Sequence, residues 1–202
     1  MITWIIIGIT AVVSYLAFQS PALMDKLQFN AAIIVHRKQY YRIISHAFVH
    51  VGWTHLLVNM LVLYFFGPHV EQYFGYFFGN KAGIYFILLY FGGIVISNAW
   101  SLIKHKNDYY YNAVGASGAV SSVLFTFIFL NPWEMLYLFA IIPIPGIVFA
   151  IGYLIYSYQM GKRKADNVAH DAHFLGAVYG FIFPIILKPD LFSRFIDLLP
   201  AF

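Results

Sequence analysis

Three groups of residues could do chemistry together. The first is Gly115-Ala116-Ser117-Gly118-Ala119, a serine enclosed by small residues where a helix begins. The chain has no cysteine, which removes a thiolate nucleophile, disulfides and thiolate metal ligands and leaves Ser, Thr, Lys or a carboxylate to attack a substrate. Small neighbours let a substrate backbone approach Ser117. A helix start leaves backbone N–H groups free to donate to an oxyanion formed beside it. The same composition also serves close helix packing in membranes.

The second group is Ala169-His170-Asp171-Ala172-His173, followed by Gly176 and Gly180. His173, Gly176 and Gly180 fall on one helical stripe, and G-x-x-x-G lets that stripe lie close against another helix. Packed on the small face around Ser117, it would carry the His173 imidazole to the serine, where it could take the hydroxyl proton. His170 is placed at the helix mouth with a structural role. Asp171 points elsewhere on the helix, so the expectation is a dyad without a carboxylate. The third group is His46, His50, His55 and Asn59. His55 and Asn59, four apart, share a helix face and can aim donors at one point. Interhelical hydrogen bonding would use the same two residues. His46 and His50 are expected to organise the preceding loop with Arg42.

The elements that must position these groups are membrane spans. Of 202 residues 61% are hydrophobic and only 10% charged, against about 25% charged in a soluble domain. Apolar tracts approaching the ~20 residues that cross a bilayer recur along the chain. They predict an all-α bundle of six spans near Ile2–Phe18, Trp53–Phe66, Ala82–Ile103, Ala113–Leu130, Trp133–Tyr156 and Val168–Leu187. Spans two, four and six then run parallel and hold the polar residues. Ser117 and His173 are expected a few residues inside their helices, within about 10 Å of one membrane face. Polar groups inside a span are costly and converge on the bundle interior or a wet cavity. Pro143, Pro145 and Gly146 are expected to soften span five. Residues 1–202 read as one domain with an amphipathic tail, Leu191–Phe202, on the interface. The net charge of +4 fits a membrane surface and no basic, aromatic-interleaved nucleic-acid face occurs.

In this order and on these spans the motifs resemble the rhomboid family of intramembrane serine proteases. The matches are G-x-S-G at Gly115–Gly118, A-H-x-x-G-x-x-x-G through His173, Gly176 and Gly180, the series His50, His55, Asn59, then Tyr41-Arg42 and Glu71. The resemblance implies a six-helix bundle of rhomboid type, a catalytic dyad of Ser117 and His173, and an oxyanion hole of His55, Asn59 and the Ser117 N–H. It implies no cofactor and no metal, and as partners the bilayer and single-pass membrane proteins, cut near the extracytoplasmic face of a bacterial plasma membrane.

Two features depart from that pattern. Where some relatives stack a tyrosine on the catalytic histidine, one turn after the serine, this chain has Ser121, so another group must orient His173 or the ring is held less firmly. Loops after spans one, three and five hold nine Lys and Arg, and the opposite side holds only Lys81, Lys188 and Arg194. The positive-inside rule would place the active-site face in the cytoplasm, where the resemblance places it outside. Two rival functions remain at this level. Pairs His46/His50 and His170/His173 could serve a di-metal oxidase or desaturase, and a rhomboid-like fold could bind membrane helices without cutting them.

Overall fold

The computed structural model describes residues 1–138, 141–163 and 169–200. Helix α1 (Ile2–Gln19) leads into a folded first loop with three short helices, α2 (Pro21–Leu27), α3 (Ala31–His36) and α4 (Arg42–Ser45), and a 3-10 turn at His46–Phe48. Then come α5 (Trp53–Phe78), a 3-10 turn at Gly79–Lys81, α6 (Ala82–Lys104), α7 (Ser117–Leu130), strands β1 (Met135–Leu138) and β2 (Ile142–Pro145), α8 (Gly146–Arg163), α9 (His170–Leu187) and α10 (Asp190–Asp197).

Helix α7 is the axis of the bundle. Every residue from Gly118 to Leu130 is buried, and α5, α6 and α9 surround it. Its 14 residues rise only about 21 Å, short of the ~30 Å of a hydrocarbon core. Three helical stretches among the described residues are long and apolar enough to cross a membrane: Ile2–Gln19, the run Trp53–Lys104 that holds α5 and α6, and His170–Leu187. Trp4, Ile5 and Leu16 on α1, and Leu57, Leu61 and Phe65 on α5, are exposed. Apolar rows of this kind suit lipid contact rather than water. The chain is an integral membrane protein.

Polar side chains fix how the helices meet. The Glu71 carboxylate on α5 accepts from the Ile2 N–H at 2.9 Å, the Thr3 N–H at 2.8 Å and the Thr3 hydroxyl at 2.6 Å. It thus satisfies N–H groups that an α-helix start leaves unpaired, with charge of the favourable sign. In the first loop the buried Arg42 guanidinium donates to Asp25 O, Gln28 O and Gln39 Oε1. Phe29 and Ala113 exchange backbone bonds of 2.9 and 3.0 Å, tying that loop to the segment before α7. On the far side Arg194 of α10 donates to Leu130 O at 2.7 Å, placing a cation at the C-terminus of α7. Phe192 and Ile196 of the same helix are exposed, one turn apart.

Several sequence expectations change. Trp133–Tyr156 is not one span: β1 and β2 pair antiparallel, Met135 opposite Pro145 and Tyr137 opposite Pro143, and α8 starts only at Gly146. Pro143 and Pro145 therefore soften no helix. They lie in an extended hairpin strand, and the prolines inside helices are Pro68 and Pro184. Ser117 is the first residue of α7 rather than several residues within it, and the expected span from Ala113 begins as loop. Helix α5 also runs a further three turns past Phe66. Val168, the expected start of the sixth span, Lys164 of the charge count and the tail residues 201–202 lie outside the described residues.

Candidate active site

The site is built on the start of α7. Gly115 has φ +113, a conformation that side chains rarely adopt, and a Cβ there would also run into the His55 ring. Its N–H donates to His46 O at 2.9 Å, so the loop is pinned two residues before the serine. The Val120 N–H is the first of α7 to bond back, to Ala116 O at 2.9 Å. The N–H groups of Ser117, Gly118 and Ala119 precede it at the helix start, where dipole and geometry favour an anion.

Helix α9 carries His173 to Ser117. A Cβ at Gly176 would collide with Gly118 O, and one at Gly180 with Ser122 O, so the G-x-x-x-G stripe rests directly on α7 backbone. Two α7 hydroxyls seal the contact. Ser122 Oγ donates to Gly176 O at 2.9 Å and Thr126 Oγ1 to Gly180 O at 2.6 Å. Gly118 is constrained from the other side, since a Cβ there would strike the Ser97 side chain on α6. With the helices held this close, His173 Nε2 lies 2.7 Å from Ser117 Oγ, and both residues are only partly buried. An unprotonated Nε2 at that distance can take the hydroxyl proton.

Of the third group, the His55 ring lies against Gly115 and edge-on to His50, with ring centroids 4.9 Å apart. Asn59, buried one turn on, donates one amide hydrogen to His55 O at 2.8 Å. Its second hydrogen remains to serve another acceptor. His50 Nε2 accepts from the Ala116 N–H at 3.3 Å, so its other nitrogen, Nδ1, carries the proton toward Ser14 Oγ at 2.9 Å. Ser14 Oγ in turn donates to Phe48 O at 2.9 Å. Asn98 of α6 donates to His46 Nε2 at 3.2 Å. Burial in this loop lowers the pKa of His46 to about 4 and that of His50, with the nearby His55 and His46 adding to the effect, to about 3. Burial favours the neutral form of both rings.

Asp171 pairs with Lys104 Nζ at 2.9 Å. The buried His170 lies edge-on to His173, with centroids 5.9 Å apart. The His46 ring bonds Asn98 of α6 and the His50 ring bonds Ser14 of α1 and the Ala116 N–H, and no group of three metal-capable side chains occurs among the described residues. The sequence reading missed Tyr153 of α8, whose ring stacks on His173 at 6.4 Å and 24° and whose hydroxyl meets Ser121 Oγ at 2.7 Å. No local spacing signals it, because Tyr153 and His173 meet only through the packing of α8 on α9. Ser14, Ser97 and Asn98 were missed for the same reason.

Residues 37–190 match the Rhomboid domain. The chain is 31% identical over 158 residues to "RHOMBOID-like protein 12, mitochondrial" of Arabidopsis thaliana, covering 69% of this chain and 44% of that protein. It is 30% identical over 169 residues to "RHOMBOID-like protein 1" of the same plant, covering 80% and 38%. It is 33% identical over 92 residues to "Putative rhomboid protease YdcA" of Bacillus subtilis (strain 168), covering 46% and 42%. The chain spans less than half the length of these relatives. The family match and the apolar helices support an integral membrane placement, and the expectation of a bacterial plasma membrane is not supported. The matched domain, covering most of the chain and containing both the serine and the histidine motifs, places the chain in the rhomboid family.

Proposed function

We propose that this protein is a serine endopeptidase that cuts transmembrane segments of single-pass membrane proteins with a Ser117–His173 dyad. The observation that carries the proposal is the 2.7 Å approach of His173 Nε2 to Ser117 Oγ at the start of a buried helix. Ser117 Oγ attacks the scissile carbonyl carbon as its proton passes to His173 Nε2. Collapse of the tetrahedral adduct breaks the C–N bond, and His173 returns the proton to the leaving amine. A water then gives its proton to His173 and its oxygen to the acyl carbon, and Ser117 leaves reprotonated. The oxyanion is met by the Ser117 N–H and by His55 and Asn59, donors fixed before the reaction begins.

In this reading residues 1–202 act as one domain with six crossings, α1, α5, α6, α7, α8 and α9. Because α7 is short, Ser117 lies below one membrane face, in reach of water yet inside the bilayer. That face is the extracytoplasmic one. Of the cations that argue otherwise by the charge rule, Arg42 is buried among loop carbonyls and Lys104 is paired with Asp171. A rhomboid-like binder of membrane helices would need neither the serine nor its histidine contact. The test is labelling by a fluorophosphonate probe and cleavage of a membrane-embedded substrate. Both are expected in the parent protein and absent in Ser117→Ala at an unchanged unfolding temperature. Normal cleavage by a folded Ser117→Ala protein sinks the reading. Activity lost with a stoichiometric bound metal and regained on its return would favour the oxidase-like alternative.

A further inference from the structure

Ser121, one turn after Ser117 on α7, leaves open what fixes the imidazole plane of His173, and the side of the site toward α8 answers it. Tyr153 projects from α8 into a seat made by three rings. Phe149 stacks on it at 5.7 Å and 28°, Phe125 of α7 lies tilted at 5.4 Å, and His173 completes the seat at 6.4 Å and 24°. All three separations fall in the range over which aromatic rings prefer defined geometry. The phenol oxygen meets Ser121 Oγ at 2.7 Å, so the ring is held both by its face and at its tip.

The first half of α8 is packed loosely, while toward its end Tyr156 lies edge-on to His170 and Tyr158 lies tilted on Phe174. The helix meets α7 sparsely, and a groove of about 290 Å³ lined by Ile147, Ile151, Leu154, Ala177 and Phe181 separates it from α9. The groove is apolar and could not hold an imidazole plane by hydrogen bonding. Among the described residues, Tyr153 gives α8 a defined ring contact with the reacting pair.

We propose that Tyr153 is the positioning residue of His173, its ring fixing the imidazole plane and its hydroxyl anchored by Ser121. This rests on the dyad reading above. Ser121 and Tyr153 act as one unit: the serine supplies the anchor, and α8 supplies the ring. The effect belongs to the activation of Ser117 rather than to substrate entry, so a small probe should sense it as strongly as a membrane-embedded substrate does.

The experiment measures the rate of fluorophosphonate labelling, kcat and KM for a membrane-embedded substrate, and unfolding temperature on the same detergent preparations. Tyr153→Leu is expected to lower labelling and kcat together by about tenfold or more, with KM changed less than about twofold. Tyr153→Phe keeps the ring and is expected to lose only about threefold, as is Ser121→Ala. The double variant Tyr153→Phe/Ser121→Ala should be no slower than either single variant, because both remove the same bond. That last comparison needs only conservative changes and stands even if Tyr153→Leu folds poorly. The inference is overturned if Tyr153→Leu cuts poorly but labels at the parent rate, if Tyr153→Phe falls as far as Tyr153→Leu, or if the two single effects multiply. Failure of the parent protein to label at all, or persistence of labelling in Ser117→Ala, would instead strike the dyad reading itself.

Discussion

Gly115 is constrained twice over beside Ser117, because its positive φ and the His55 ring both exclude a side chain. Gly115→Ala is expected to slow fluorophosphonate labelling at least tenfold, with backbone strain on the order of 1–3 kcal/mol seen as a lower unfolding temperature. Parent-like labelling would mean that the loop can relax without disturbing the serine. The two histidines of α9 separate as sharply. His173→Ala should lose labelling and cleavage, since the serine then has no base, while His170→Ala should retain most of both; the opposite pattern would move the dyad by one turn. Asn59→Leu tests the oxyanion donors. Loss of one such donor costs about 10²–10³ in turnover in a soluble serine protease, whereas a packing role predicts early melting with normal turnover among folded molecules. At this scale the sequence was informative where chemistry and spacing coincide: Ser117, His173, Gly176 and Gly180 could all be placed, because one stripe on a regular helix must face one partner. Tyr153 could not, since its contact with His173 joins two helices whose mutual rotation no local pattern records.

Between elements, the α7–α9 contact is made of backbone touching backbone. Gly176 and Gly180 leave no room for a methyl group, and Ser122 and Thr126 donate across the gap to Gly176 O and Gly180 O, the second of which has no N–H of its own helix to accept because Pro184 lies four residues on. Gly180→Val should therefore push α9 outward, lower the unfolding temperature in detergent by several degrees and reduce labelling as His173 retreats. Gly152→Ala is the control: a Cβ there meets nothing within 4 Å, so stability and labelling should match the parent. Equal behaviour of the two variants would remove close packing as the device that sets the dyad distance. The helix starts and the hairpin show where reading from composition stops. Ala113–Ala116 are apolar or small and extend the hydropathy of α7, yet the Ala113–Phe29 bridge and the Gly115 bond to His46 O hold them as loop. Met135–Pro145 is apolar enough to pass for half a span. Its Pro-Ile-Pro ending was a usable sign of extended chain, because alternating prolines suit an edge strand and interrupt a helix.

Across the whole molecule, the first loop joins α1, α6 and the serine loop through two buried histidines. Ser14 of α1, which donates to Phe48 O, and the Ala116 N–H meet at His50, while Asn98 of α6 and the Gly115 N–H meet at His46. The chain of donors at His50 works only with a neutral ring, protonated on Nδ1 and accepting on Nε2. A second proton would have to replace the bond from Ala116, next to Ser117. Burial accordingly holds the folded pKa near 4 for His46 and 3 for His50, below the ordinary 6.5. Between those limits the unfolded chain binds more protons than the folded one, so stability must fall as pH drops from about 6.5 toward 4. The expected result is an unfolding temperature in detergent that is flat above about pH 7 and declines steadily below 6.5. The double variant His46→Gln/His50→Gln, less stable at neutral pH, should show a visibly shallower decline over the same window. A midpoint that holds steady or rises on acidification of the parent protein would mean that these rings accept a proton in the folded state. The loop would then not depend on the neutral His50 bridge between α1 and Ser117.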